Sequence, residues 1–460
     1  MRAPAKKLVE AAVGLLVLAL LLPVSNLLFG SPSRTPLTVA AHKDPQTAQA
    51  AQVLEKSCAS CHVPGVTPPF YAALPVAGTM VHSDIRAGLQ HFDLASGFAA
   101  EGGAVPEPVL AKIEHEITAG DMPPAKYVAL HWKARLGSQR ETLLVWIDGA
   151  RAAQAAPGVP DSLRAAPIRP LPATLRYDAA KAALGEKLYH DKRLSGDDTL
   201  SCASCHDLAT GGTDNEVVSD GIRQQKGGIN APTTFNAALN FVQFWDGRAP
   251  TLQKQAGGPP LNPVEMGSAG WDEIVAKLNR DKVLRKQFEA VYPEGFGEQS
   301  ITEAISEFER TLVTPNSRFD QFLLGNAQAL TASERHGYEV FRARGCATCH
   351  VGELLGGRSF ERMGLHGDYF KHRGDRQTDS DAGRYNVTRE ERDRHLFKVP
   401  TLRNVALTAP YFHDGSKKTL LGAVDAMATF QLGTPLGEGE AQDVVAFLKT
   451  LTGEYKGKRL

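Results

Sequence analysis

The sequence predicts an all-α protein, and the spacing of its apolar residues is the main reason. Between the cysteine motifs, apolar side chains recur about every 3.6 residues, as on one face of a helix, and do not alternate as on a strand. The segments that show this period are Glu107–Thr118, Arg140–Ala152, Trp271–Val291, Ser300–Leu312, Ala332–Arg344 and Glu440–Leu451. We therefore expect helices, joined by long loops, that wrap around whatever the cysteine motifs bind.

All six cysteines of the chain belong to three Cys-x-x-Cys-His motifs. The motifs are Cys58–Cys61–His62, Cys202–Cys205–His206 and Cys346–Cys349–His350. In this pattern the two thiols bind haem c covalently, and the adjacent histidine is the proximal iron ligand. Zinc sites need paired knuckles, and a redox Cys-x-x-Cys pair needs no following histidine. Three cytochrome c-like haem domains, each with a covalently bound haem c, are therefore predicted.

The chain begins with basic residues followed by an apolar run. Arg2, Lys6 and Lys7 precede apolar residues from about 11 to 29, a run long enough to span a bilayer. We therefore predict an N-terminal transmembrane helix within residues 1–30 and a single-span location in the inner membrane, with the catalytic part in the periplasm. The alternative is a signal peptide cleaved after Ala40 or Ala41.

Composition divides the rest of the chain. The segment 156–172 is rich in proline, which makes a semi-rigid spacer. The predicted domains are a monohaem cytochrome c-like domain at 31–155, then this linker, then haem domains at 173–330 and 331–460. Charge is balanced, with 51 basic and 51 acidic residues, so no nucleic-acid partner is expected.

The last two haem domains look like copies of one unit. Ala231-Pro-Thr-Thr-Phe-Asn corresponds to Val399-Pro-Thr-Leu-Arg-Asn. At the same distance after the proline, one copy has Phe244-Trp-Asp-Gly and the other Phe412-His-Asp-Gly, and both continue to a Thr-Leu pair. Agreement without gaps at so many points indicates a duplication.

The two copies differ where a second iron ligand is expected. Catalysis needs an open sixth position on iron, whereas two strong protein ligands permit only electron transfer. In the last copy Met427 lies on a predicted helix after His350, and we predict it as an axial ligand, although methionine also fills cores. In the other copy Gln255 and Glu265 suit an open pocket, and Met266 is the rival that would close it.

Three strings of the chain resemble bacterial dihaem cytochrome c peroxidases. They are Phe244-Trp-Asp-Gly-Arg-Ala, Gln255-Ala-Gly-Gly-Pro-Pro-Leu-Asn-Pro-Val-Glu-Met and Val399-Pro-Thr-Leu-Arg-Asn-Val-Ala-Leu-Thr-Ala-Pro-Tyr-Phe-His-Asp-Gly. The resemblance covers residues 173–460. The first haem domain is similar to that of the membrane-anchored triheme members, the quinol peroxidases, in Asp121-Met-Pro-Pro and Leu130-His-Trp.

The resemblance implies a periplasmic enzyme that reduces hydrogen peroxide to two waters. It implies that the haem at His206 is peroxidatic, with Glu265 as the acid/base and Gln255 orienting the peroxide. The haem at His350 then transfers electrons, and Trp245 lies between the two haems. Otherwise Trp245 is only a core residue and Glu265 only part of a surface salt bridge.

The resemblance also implies a calcium ion at the domain boundary. The Asn230 side chain and the main-chain carbonyls of Thr408 and Pro410 would be its ligands, and hard oxygen atoms of this kind suit Ca²⁺.

At the first haem, His62 is the predicted proximal ligand. Met122 is the predicted distal ligand, because the proline after it favours an extended turn that presents the sulfur. Met80 is the rival, and the weaker candidates are His82, His91 and His115. This haem is expected to pass electrons from a membrane quinol, or from a small cytochrome c, into the peroxidase domains.

One loop departs from the family pattern. Many relatives close the resting peroxidatic haem with a distal histidine on a mobile loop, but the corresponding segment 220–229 has none. No histidine lies between His206 and His336. We therefore predict an open or water-ligated site in the fully oxidised enzyme, which needs no reductive activation. Arg223 is a weaker candidate for polarising the peroxide.

Two other function classes fit parts of the sequence. A non-catalytic triheme electron-transfer cytochrome would require Met266 or another residue to close the second haem. A dihaem enzyme that oxidises a protein would have tyrosine where this chain has Met427, so this class fits less well.

Overall fold

The structure is a computed structural model that describes residues 44–98, 104–374 and 377–460. Before residue 44 it also describes Glu10, Val13, Gly14, Val17, Leu20, Leu21, residues 23–28 and Leu37. Helices predominate, as predicted. The chain splits into two compact units, Met1–Gln154 and Ala155–Leu460, each with apolar cores of its own.

The first unit consists of short helices around one apolar core. From residue 44 these are α1 (Pro45–Ser57), α2 (Ala59–His62), α3 (Pro75–His91), α4 (Leu94–Phe98), α5 (Glu107–Ala119), α6 (Ala125–Leu130) and α7 (Gln139–Ala152). The Asp44 side chain caps α1 by accepting hydrogen bonds from the N–H groups of Gln46 and Thr47. Cys58 packs against this core, so the first cysteine motif lies at its edge.

The second unit holds the other two cysteine motifs. Its helices are α8 (Ala179–Tyr189), α9 (Cys202–Cys205), α10 (Leu252–Ala256), α11 (Trp271–Leu278), α12 (Lys282–Glu289), α13 (Glu298–Glu309), α14 (Arg318–Leu323), α15 (Ala332–Ala343), α16 (Tyr369–Arg373), α17 (Tyr385–Thr388), α18 (Leu420–Ala426) and α19 (Glu438–Lys449). A π-helix, Met427–Gln431, continues α18. One core forms around Phe288 and Ile301, and another around Phe319 and Phe447.

Two short antiparallel ribbons interrupt the helical fold. Strand β1 (Phe360–Arg362) pairs with β2 (Leu396–Lys398), with Phe360 opposite Lys398, and β3 (Glu454–Tyr455) pairs with β4 (Lys458–Arg459). The all-α prediction missed them because strands of two or three residues are too short for an alternating pattern to be recognised.

Five of the six predicted helical segments are single helices whose ends agree within three residues. The sixth, Trp271–Val291, is two helices, α11 and α12. The side chain of Asp281 accepts hydrogen bonds from the N–H groups of Val283 and Leu284 and thereby starts the second helix. Aspartate favours the N-cap position, so Asp281 was the signal for this break.

The predicted membrane anchor at the start of the chain needs correction. Much of that segment lies outside the described residues. Among the residues that are described, no helix combines an apolar composition with the roughly 20-residue length that a bilayer requires. The predicted location as a single-span inner-membrane protein is therefore wrong.

The second unit contains the same helix crossing twice. α8 packs on α13, and α15 packs on α19. A Cβ atom added at Gly185 would lie 1.8 Å from the carbonyl oxygen of Ala304, and one at Gly337 would lie 1.9 Å from that of Asp443. Each crossing thus needs a glycine, and the first helix of each pair precedes one cysteine motif.

The loops after the motifs also repeat. Asn236 and Asn404 adopt the left-handed conformation with φ of 62° and 61°. Both donate a side-chain hydrogen bond to the hydroxyl of buried Thr314, at 2.8 and 3.0 Å. Equivalent asparagines therefore meet at one threonine, as a duplication with approximate two-fold symmetry requires.

Substitution of Gly185 by alanine is expected to destabilise the protein, because the new methyl group would overlap the carbonyl of Ala304. Overpacking of this kind costs about 1–3 kcal/mol or more, so we expect the free energy of unfolding to fall by about 3 kcal/mol. Urea denaturation followed by circular dichroism measures the change.

Gly439→Ala is the matched control, because a Cβ atom there, on α19, has no neighbour within 4 Å. We expect it to be neutral or stabilising by up to about 1 kcal/mol. Equal stability of G185A and the wild type would contradict the proposed crossing.

Candidate functional site

Each motif histidine is oriented by a main-chain carbonyl. Nδ1 of the histidine lies 3.1 Å from the carbonyl oxygen of Phe92 for His62, 3.3 Å from that of Gly212 for His206 and 2.9 Å from that of Leu355 for His350. Because a carbonyl oxygen only accepts, Nδ1 must donate, and the unprotonated Nε2 is left for a metal. This is how proteins hold a ligating histidine.

The electrostatics of the motifs fit haem attachment. Burial lowers the pKa of His62, His206 and His350, the last to about 4, which keeps the rings neutral and able to bind iron. The six cysteines form no disulfide. Burial raises the pKa of the first thiol of each motif to about 12. A reactive redox thiol needs a lowered pKa, so a redox Cys-x-x-Cys pair does not fit.

Glu265 lies close enough to the second motif to affect the pKa of one of its thiols. The pKa of the Cys205 thiol is raised first by burial and further by nearby carboxylates, Glu265 among them. Nδ2 of Asn262 donates to Oε1 of Glu265 at 2.8 Å. Burial raises the pKa of Glu265, although Arg248 and Asn262 both act to lower it. A half-buried carboxyl group that retains its proton more readily than usual therefore stands near the second haem motif.

Gln255 and Met266 lie on the same stretch of chain. Gln255 is half-buried on α10, a helix capped by the Thr251 side chain. Met266 is 5% exposed and packs in the core that contains Leu184 and Ile274. This packing is that of a core side chain, which weakens the case for Met266 as the residue that closes the second haem.

Trp245 and His413 occupy equivalent positions in the two copies and touch each other. Their rings meet edge to face, with centroids 6.3 Å apart. Nε1 of Trp245 donates to the carbonyl oxygen of Asn230 at 2.9 Å. The indole also packs against an aromatic cluster that includes Ala426 and Phe430, on the same helical stretch as Met427.

Two main-chain hydrogen bonds run reciprocally around this contact. The Asn230 N–H donates to the carbonyl oxygen of His413, and the Lys398 N–H donates to that of Trp245, both at 2.8 Å. Asn230 and Lys398 are themselves equivalent positions in the duplicated sequence. Each copy therefore holds the aromatic residue of the other.

The two predicted methionine ligands are partly buried. Met427 stands where α18 becomes a π-helix, a distortion that often marks functional sites. Met122 precedes a cis proline and is half-buried, whereas its rival Met80 is 56% exposed. Both assignments stay predictions.

The loop at 220–229 is anchored to the segment that carries Glu265. Asp220 and Lys226 form a β-bridge and an ion pair of 2.6 Å. The Ile222 N–H donates to the carbonyl oxygen of Glu265 at 2.7 Å. Arg223 is exposed, which weakens its candidacy for polarising peroxide.

Asn230, the predicted calcium ligand, is 6% exposed. Its Nδ2 donates to the carbonyl oxygens of Glu216 and Val217, at 2.8 and 3.4 Å. These contacts direct the side-chain oxygen of Asn230 away from Glu216 and Val217. The side chain is thus oriented as an oxygen ligand would be, and its joint use with Thr408 and Pro410 stays a prediction.

Sequence reasoning missed a buried charge network next to Trp245. Nε2 of His413 lies 2.7 Å from Oδ1 of Asp381, and Arg373 bonds both oxygens of Asp381 at 2.9 Å. Arg373 also reaches Asp414 at 2.7 Å. Asp381, His413 and Asp414 lie close enough to hold a metal ion, but the guanidinium already supplies the positive charge. The signal was the exchange of Trp245 for a histidine in the second copy.

Replacement of Asp381 by asparagine should lower stability in a pH-dependent way. Burial would raise the pKa of Asp381, but the hydrogen bonds from His413 and Arg373 outweigh it and hold the pKa well below its usual range. The stabilisation is therefore full above the unfolded pKa of about 3.9 and is lost as the pH falls below it. Loss of one partner of a buried ion pair costs about 3–5 kcal/mol.

Urea denaturation at several pH values measures this effect. The gap between wild type and D381N should be largest near neutral pH and shrink in acid. Asp161→Asn is the control, because that side chain is 96% exposed and should change stability by less than about 0.5 kcal/mol. A gap that does not change with pH would contradict this account.

Comparison with known proteins gives one consistent result. The model of the di-haem cytochrome c peroxidase family matches residues 179–328, and that of a haem-binding domain matches residues 28–149. A cytochrome c peroxidase of Escherichia coli (strain K12) is 49% identical over 405 residues, which cover 87% of this chain and 86% of that protein. A cytochrome c551 peroxidase of Nitrosomonas europaea is 45% identical over 299 residues, covering 64% and 86%.

Among solved structures, a MauG-like protein associated with microbial copper homeostasis is similar to this chain. The TM-score is 0.55 at 32% identity, and the match covers 63% of this chain and 93% of that one.

Proposed function

Because the chain belongs to the di-haem cytochrome c peroxidase family and is a haem c-dependent peroxidase, we propose that it reduces hydrogen peroxide to two waters at the haem bound by Cys202, Cys205 and His206. The observation that carries the assignment is Glu265, a half-buried carboxyl group with a raised pKa beside Cys205. When bound, the haem would supply the redox chemistry of the reduction.

Glu265 performs the proton transfer in this proposal. Cleavage of the O–O bond requires a proton on the leaving oxygen, and a carboxyl group within hydrogen-bonding reach supplies it. Glu265 takes the proton from one peroxide oxygen and gives it to the other, which leaves as water. Asn262 holds the carboxyl group through Oε1. The Gln255 side chain orients the peroxide.

Two electrons and two protons complete the reduction. We assign the other predicted site residues to the delivery of the electrons. His350 and Met427 would hold the haem that takes up and passes on electrons, since His/Met ligation raises the potential. Trp245 connects the two haem regions, which its packing against the Met427 helix supports. A calcium ion bound by Asn230, Thr408 and Pro410 would fix this boundary.

His62 and Met122 would hold a third haem, whose role would be to relay electrons from the donor. The match of residues 28–149 to a haem-binding domain supports this role. A quinol is the favoured donor because its two-electron oxidation supplies both electrons, and a small cytochrome c is the alternative. Covalent haem attachment takes place outside the bacterial cytoplasm, which supports a periplasmic reaction.

Glu265→Gln is the variant that tests the assignment of the acid/base. Loss of a general acid–base group costs about 10²–10⁴-fold, so we expect kcat for peroxide reduction to fall by that factor while haem content is unchanged. Steady-state turnover with a chemical reductant and the haem absorbance of the purified holoprotein give the two values.

Glu294→Gln serves as the matched control, because Glu294 is exposed on the same unit. It should retain full turnover. If E265Q keeps more than about a tenth of wild-type kcat, another group moves the proton.

An open site in the resting enzyme is the second expectation. An EPR spectrum of the fully oxidised protein, with spin counting, should show a high-spin ferric signal equivalent to one haem. One equivalent of peroxide should consume it without prior reduction, because no histidine lies between His206 and His336 to occupy the iron. Only low-spin haems that ignore peroxide would indicate a closed site, as in an electron-transfer cytochrome, and Met266 would then be the residue to replace.

A further inference from the structure

Lys398 is a buried cation whose ammonium group has no hydrogen-bond or ion-pair partner among the described residues. The residue is 6% exposed on strand β2. Its main-chain N–H donates to the carbonyl oxygen of Trp245. Across the described parts of the chain, no carboxylate forms an ion pair with its ammonium group, and burial is the sole cause that lowers its pKa, to about 8.

A second cation lies near the same segment. The Arg384 guanidinium donates to the main-chain carbonyl oxygens of Asp246 and Gly247, both at 3.1 Å. It also stacks over Phe360, the residue opposite Lys398 on the ribbon. Within the described residues Arg384 forms no ion pair with a carboxylate. Lys398, through its main chain, and Arg384, through its side chain, both contact the stretch that begins at Trp245, and the described polypeptide supplies neither side chain with a carboxylate counterion.

Burial of an unpaired charge is costly, and proteins normally pair such a charge or neutralise it. Two other cations of this unit that have little exposed surface follow the rule: Arg403 pairs with Asp320 at 2.8 Å and Arg373 with Asp381 at 2.9 Å. Lys398 has no such ion pair among the described residues. It occupies the position equivalent to Asn230, the residue that we propose as a calcium ligand. The duplicated positions thus carry an oxygen ligand for a cation in one copy and a cation in the other.

We propose that Lys398 is a haem-binding residue whose ammonium group pairs with a propionate carboxylate of a haem of the second unit. Each haem c brings two carboxylates that the polypeptide must accommodate, and Lys398 lies on the chain segment that contacts Trp245. The proposal rests on haem binding, which family membership gives, and not on the roles proposed for Glu265 or for the electron donor.

The pairing sets a reduction potential. A positive charge beside a propionate offsets its negative charge, which otherwise favours the oxidised iron. In Lys398→Met the reduced-to-oxidised ratio of one haem at a fixed potential should fall about tenfold, which is about 59 mV for a one-electron couple. Lys398→Arg keeps the charge and should stay close to the wild type.

The experiment is a spectroelectrochemical redox titration of the full-length holoprotein, with the haem content of each variant measured first. Lys418→Met is the matched control, because it removes the same charge from an exposed position of the same unit. Redox-difference infrared spectra of the propionate carboxylates provide a second measurement. A lost ion pair should change these bands in K398M but not in K418M.

The redox titration and the infrared spectra together distinguish the possible outcomes. A lowered potential of one haem in K398M, absent in K398R and K418M and accompanied by a changed propionate band, supports the pairing and identifies the haem. Unchanged potentials and bands in a fully loaded K398M overturn it, whatever its peroxidase activity. If K398M fails to load haem, K398R decides: normal loading with wild-type potentials supports the pairing, and normal loading with one potential lowered by about 59 mV overturns it.

Discussion

The second unit depends on a reciprocal pair of main-chain hydrogen bonds between the two copies of the duplicated sequence. The Asn230 N–H is bonded to the His413 carbonyl and the Lys398 N–H to the Trp245 carbonyl, each at 2.8 Å. Because the bonds are exchanged across an approximate two-fold relation, neither loop can move without the other. Trp245 and His413 are consequently held edge to face, and this contact joins the two copies.

The two copies differ in the length of one helix. Thr251 and Thr419 cap equivalent helices, but glycines and prolines after Ala256 end α10 after five residues, whereas α18 continues as a π-helix through Gln431. The longer helix carries Met427, which we propose as a second iron ligand. The shorter one is followed by the loop that carries Glu265, which we propose as the acid/base. The proposed difference between an electron-transfer site and a catalytic site thus coincides with a difference in helix breakers.

The features that depend on the spacing of residues along the chain could be predicted from the sequence. The cysteine motifs, the helical periods and the duplication were all readable, since each depends on spacing along the chain. The reciprocal hydrogen bonds and the contact of Asp381 with His413 were not, because they join residues far apart in sequence whose types suit many surface roles. The ribbons escaped recognition because three-residue strands carry no period. The predicted N-terminal transmembrane helix was wrong. It rested on composition alone, and no described helix is long and apolar enough to cross a membrane.

The positions of the buried charged groups indicate where the polypeptide lacks a partner for a charge. Arg403 with Asp320 and Arg373 with Asp381 are satisfied within the fold, and such pairs mainly hold loops in place. Glu265 and Lys398 are different, because burial shifts the pKa of each towards its neutral form. A fold tolerates such groups when a partner from outside the polypeptide completes them. Both lie on segments that are hydrogen-bonded to neighbouring loops, and this is the region where we propose that a haem and its substrate bind.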